Sequence, residues 1–69
     1  MYYLIEITTT ADKVEKGIYS YNNRIDAVAT FHQKIGGAMK NKNYLEEMVM
    51  LITATGSVEM HEYYKKPEE

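Results

Sequence analysis

From Glu47 to Ala54 the chain reads Glu-Met-Val-Met-Leu-Ile-Thr-Ala, apolar at nearly every position instead of at every second one. A strand of that pattern is covered on both faces. The whole chain has 69 residues, room for one domain, and below the size at which a single core comfortably outweighs chain entropy without a staple. Cysteine is absent and His32 and His61 are the only imidazoles, which excludes disulfides and nearly excludes structural zinc. What remains is close packing or self-association.

The other elements follow from periodicity. Residues 2–8, Tyr-Tyr-Leu-Ile-Glu-Ile-Thr, are aromatic and β-branched and predict a strand with Tyr3, Ile5 and Ile7 on one face and Tyr2, Leu4 and Glu6 on the other. Polar residues 9–12 turn the chain, and Val14 to Tyr21 alternates again with Ile18 opposed to Tyr19 and Tyr21. Lys16 and Gly17 weaken this second strand and point to an edge position. Asn23 then caps a helix starting at Arg24, with Asp26 three residues on answering as a capping box. Ile25, Val28, Phe31, His32, Ile35 and Met39 fall at helical spacing and predict the buried side. Gly36-Gly37 is either a stop or a pair of small residues within the helix; Ala38 and Met39 keep the apolar phase, so the helix is expected to reach about Lys40. After the loop Asn41-Lys42-Asn43 comes the two-faced strand. Thr55-Gly56 reverses the chain into a last alternating strand over 57–64, and residues 65–69 are expected to fray.

Strand, strand, helix, strand, strand predicts an α+β domain. If the helix crosses back over the sheet, the third strand lies antiparallel beside the first, giving the order 2-1-3-4 with the helix on one face. The opposite face stays open, and it draws on Tyr2, Leu4, Tyr19, Tyr21, Met48, Met50 and Ile52, according to which side of each strand meets the helix. An exposed apolar, tyrosine-rich sheet face marks an interface. Burying about 600 Å² of apolar surface there contributes on the order of 15 kcal/mol before association costs. In the competing arrangement, twisted strands and long side chains cover one another and leave a monomer.

Eight basic against ten acidic residues give a formal net charge of −2, which supplies no strong field toward nucleic acid or an anionic membrane. The opening Met1-Tyr2-Tyr3-Leu4-Ile5-Glu6 lacks a basic region and meets Glu6 too early for a signal peptide or a membrane span, so a cytoplasmic location is expected.

No catalytic constellation stands out. His32, on the apolar side of the helix, reads as a packed histidine, and His61 with Glu59 and Glu62 as a solvated face, since two same-face ligands seldom hold a metal tightly. Ser20 and Ser57 stand in no nucleophile-elbow or triad context, and Gly36-Gly37 lacks the strand, third glycine and helix start of a phosphate loop. Arg24, Lys34, Lys40 and Lys42 offer a basic stripe that acidic neighbours dilute, with tyrosines for base stacking. Met48 and Met50 share one strand face and suit either an adaptable binding surface or a core. No enzyme activity, cofactor or metal is expected.

Lys16-Gly17-Ile18-Tyr19, the run from Asp26 to Lys34, Gly36-Gly37-Ala38-Met39-Lys40-Asn41 and the Gly56 hairpin with its tyrosine-rich end resemble small uncharacterised proteins of bacterial phages and prophages. The resemblance spans nearly the whole chain and includes His32. It implies a viral origin and a bacterial host cell, and it assigns no activity, cofactor or residue role. The expected function is accordingly a non-enzymatic interaction or structural protein that forms a homo-oligomer through its open sheet face. An inhibitor or adaptor binding one host protein is the alternative, and single-stranded nucleic-acid binding a third.

Overall fold

The first strand, β1 (Tyr2–Thr10), pairs on one side with β2 (Val14–Tyr21) and on the other with β3 (Tyr44–Thr53), which in turn pairs with β4 (Val58–Lys65). All pairings are antiparallel and the order is β2-β1-β3-β4, with the helix α1 (Arg24–Lys40) between β2 and β3 in the chain. The computed structural model describes residues 1–67. The fold is α+β, as the order of elements implies, and β2 is an edge strand.

Helix entry is set by Asn23, whose side-chain oxygen accepts from the Asp26 backbone N–H at 2.9 Å while its amide nitrogen donates to the Asp26 carboxylate at 2.9 Å. The cap fills an otherwise unpaired N–H in the first turn and keeps Asp26 at the positive helix end. The helix passes through Gly36-Gly37 and closes where the Asn41 N–H reaches the Ala38 carbonyl at 3.2 Å. A Cβ added to either glycine meets no atom within 4 Å. Replacing both by Ala is therefore expected to stabilise the domain by about 1–2 kcal/mol, through the backbone entropy that glycine loses on folding. A thermal melt in which the double variant unfolds below the wild type would contradict this.

Leu4, Ala27, Phe31, Ile35, Val49 and Leu51 form the core, with Tyr2, Tyr21, Val28 and Met60 packed around it. The buried helix stripe is thus Ala27, Phe31, Ile35 and Ala38: Phe31 and Ile35 lie where spacing predicts, with Val28 packed beside them, whereas Ala27 and Ala38 are buried in place of Ile25, His32 and Met39. Ile25 is 81% exposed, Met39 projects outward, and His32 is exposed with its ring edge-on to Phe31 at 5.5 Å. The reason is steric: alanine at both ends of the stripe lets the helix lie close on the sheet, and larger side chains there would lift it off.

Two bulges shape the sheet. Thr10 pairs with Tyr44 while Thr9 pairs with Glu46, leaving Leu45 as the extra residue; likewise Ile52 pairs with Val58 while Leu51 pairs with Met60, leaving Glu59. The β3–β4 turn closes where Gly56, at φ 91°, donates its N–H to the Thr53 carbonyl at 2.9 Å; only glycine takes that conformation without strain. Pairing continues past the point where the chain was expected to fray. Lys65 belongs to β4 and the Lys66 N–H donates to the Leu45 carbonyl at 2.8 Å; residues 68–69 of the expected tail lie outside the described residues.

Candidate functional site

Strand alternation assigns the sheet faces once Leu4, Val49 and Leu51 are found beneath the helix. Tyr2, Leu4, Tyr19 and Tyr21 lie on this covered side: Leu4 is fully buried, Tyr2 and Tyr21 pack on the core, and the Tyr19 ring receives the Lys34 ammonium 4.4 Å from its centroid. These four residues therefore do not belong to the open face. Met48, Met50 and Ile52 do, each half-buried between the covered positions of β3.

Read across the register, the open face consists of four rows. They are Tyr3 with Ser20, Ile52 and Val58; Ile5 with Ile18, Met50 and His61; Ile7 with Lys16, Met48 and Tyr63; and Thr9 with Val14, Glu46 and Lys65. The two central strands contribute Tyr3, Ile5, Ile7, Met48, Met50 and Ile52 as one unbroken apolar block. Ile18, 72% exposed, and Val58, 57% exposed, extend it to the edges. Charge is confined to the margins, where the Tyr63 hydroxyl donates to the Glu46 carboxylate and Lys16 and Lys65 stand on the outer strands. An apolar centre inside a polar rim is the anatomy of a protein interface.

The covered side divides into two halves. Toward the helix start it is the apolar core; toward the helix end it is polar, and this half was not foreseen. Glu6 accepts from the Lys34 ammonium at 3.0 Å and from the Tyr19 hydroxyl at 3.4 Å. Glu47, with no exposed surface, accepts from the Thr8 hydroxyl at 2.7 Å. Its other oxygen, Oε2, is the one buried side-chain N or O atom without a partner among the described residues. Gly17 leaves room for the Tyr19 ring where it stands, since a Cβ there would lie 2.8 Å from the Tyr19 hydroxyl. A cleft of about 270 Å³ lined by Glu6, Thr8, Gly17, Tyr19, Lys34 and Tyr44 opens beside these groups. The sequence did hold a signal for this cluster: Glu6 is in phase with Leu4, Glu47 with Val49 and Leu51, and Lys34 stands three residues after Phe31 on the buried stripe.

The other expected groupings come apart. Glu59, displaced by the bulge, pairs with Arg24 at 2.9 Å on the helix side, whereas His61 faces the open side opposite Met50. They do not share a face. Among the described residues, no three His, Cys, Asp or Glu side chains are placed to hold a metal ion, and no helix is long and apolar enough to cross a membrane. Two members of the basic stripe, Arg24 and Lys34, are tied into ion pairs with Glu59 and Glu6, and three of the tyrosines that would stack bases are turned toward the helix.

Comparison of the chain with protein-family models, with curated proteins and with solved structures finds no match.

Proposed function

We propose that the protein is a non-enzymatic interaction or structural module that self-associates by packing the open face of its sheet against that of a second copy. The observation that carries this reading is the central apolar block, Tyr3, Ile5, Ile7, Met48, Met50 and Ile52, which no element among the described residues covers. Four strands about 4.8 Å apart and about seven residues long at about 3.3 Å per residue make a face of roughly 450 Å² in projection. Side-chain relief enlarges its accessible area, so two such faces together approach the lower end of specific interfaces, about 1,200 Å².

The face also suits a copy of itself. A two-fold axis along the strands sets β2 over the second copy's β4, so that Lys16 meets Tyr63, Lys65 meets Val14, and Ile5 meets Met50. No like charges are opposed, and the centre contains no charge to desolvate. The resemblance to phage and prophage proteins suggests a setting for such a module, in particle assembly or an accessory role in the host cell.

Sedimentation of the wild-type chain over a concentration series tests the reading. The expected result is a rise in mass from monomer to a closed oligomer by high micromolar concentration. A chain that remains monomeric there overturns it, and an affinity capture returning one stoichiometric host protein in place of a second copy favours the adaptor instead.

A further inference from the structure

We propose that Glu6 and Glu47 are a proton-binding site: the two carboxyl groups share a single proton under the helix, and that proton couples the packing of α1 on the sheet to pH. Both side chains lie on the covered side of the sheet, away from the open face. Glu6 and Glu47 are diagonal neighbours on the covered side, since Glu6 pairs with Val49 and Thr8 with Glu47. Two carboxylates thus occupy one partly dry space with a single ammonium, that of Lys34, to balance them. Lys34 contacts Glu6, and Glu47 has only the neutral Thr8 hydroxyl. A proton on Glu47 Oε2, donated to Glu6, satisfies the orphaned oxygen and brings two carboxyls and one ammonium to zero net charge.

The groups around the pair favour the same distribution. From β2 come Tyr19, whose hydroxyl contacts Glu6, and Glu15, across from Thr8 and paired with Lys13 at 2.6 Å. From β4, Tyr64 stands across from Glu47 and the exposed Glu62, across from Val49, lies diagonal to it; from β3, Tyr44 lines the same cleft; and from α1 only Lys34 brings charge to the pair. Burial first, then the charge and hydrogen bond of Glu6, push Glu47 up to about 7, against the smaller pull of Thr8 and Lys34. Burial also opposes the charge on Glu6, but the hydrogen bonds from Glu47, Lys34 and Tyr19 win and hold it below the ordinary carboxylate range.

The sign of the linkage follows. Glu47 is raised on folding, so the stability it contributes is complete below its unfolded value and is lost as pH rises through about 7. Glu6 is lowered, so its contribution is present above its unfolded value and is lost in acid. Stability therefore peaks in mildly acidic solution and declines toward alkaline pH.

Urea unfolding of the full chain at fixed protein concentration, from pH 5 to pH 8, reads this out. The wild-type folding constant is expected to fall by roughly 50-fold over that interval. Glu47→Gln keeps the shape and supplies an N–H to Glu6, and it should remove most of the decline. The infrared carbonyl stretch of a protonated carboxyl group in the folded wild type should persist at pH 6 and fade near pH 8. This second measurement needs no variant, so the site stays testable if Glu47→Gln fails to fold. A flat wild-type profile, an unchanged slope in Glu47→Gln, or no protonated carboxyl at pH 6 would each overturn the shared proton.

Discussion

Replacing Met50 by Lys is expected to leave the domain folded and to weaken its self-association by at least about 100-fold, so that sedimentation finds monomer where the wild type is assembled. Met50 lies near the middle of the open face, between Ile5 on β1 and His61 on β4. In the free molecule a lysine there keeps its ammonium in water and lays its stem along the same apolar surface, so the fold loses little. In the assembly each copy would have to bury that charge without a partner, and an uncompensated buried charge costs about 3–5 kcal/mol. About 2.7 kcal/mol already corresponds to a 100-fold change, and a two-fold assembly meets the penalty twice. Lys16→Ala, at the rim, should by contrast change affinity only slightly, because exposed charges contribute about 0–1 kcal/mol. If Met50→Lys assembled like the wild type, the open face would not be the contact surface.

The second large effect concerns the core. Phe31→Ala removes the largest side chain of the buried helix stripe, 4% exposed and clustered with Leu4, Val49 and Leu51, and is expected to cost about 3–5 kcal/mol. Domains are stable by roughly 0.05–0.15 kcal/mol per residue, so this loss consumes much or all of the margin in a chain this short. The expected result is a melting temperature lowered by at least about 12 °C, or no cooperative transition at all. Ile25→Ala is the control. Its apolar spacing in the sequence suggests burial, yet it is exposed and should change stability by no more than about 0.5 kcal/mol. Equal losses for the two variants would mean that Ile25 is buried together with Phe31, as apolar spacing suggests, and that the stripe does not run through Ala27 and Ala38.

The Glu6–Glu47 pair bears on both expectations. It stands at the polar end of the same helix contact that Phe31 anchors, so core variants and pH should be compared at one pH. It faces away from Met50, so alkaline loss of stability and loss of self-association should separate when measured by unfolding and by sedimentation.

Local chemistry was enough to place the elements. Asn23 with Asp26 marked the helix start, Gly56 the last turn, aromatic and β-branched residues the first strand, and alternation the second and fourth, because capping, positive φ and pleating act over a few residues. The order 2-1-3-4 followed from short connections and from a third strand apolar on both faces. What tertiary structure alone decided was which side of each strand the helix covers. A period of two allows either choice, and it fell so that Leu4, Tyr2, Tyr19 and Tyr21 went under the helix while Tyr3, Ile5 and Ile7 joined Met48, Met50 and Ile52 outside. Close approach of helix to sheet likewise chose alanines over larger residues for the buried stripe, and a bulge took Glu59 from His61 to Arg24. Glu6 and Glu47 are 41 positions apart in the chain; only strand register makes them neighbours, and only burial gives their proximity a consequence.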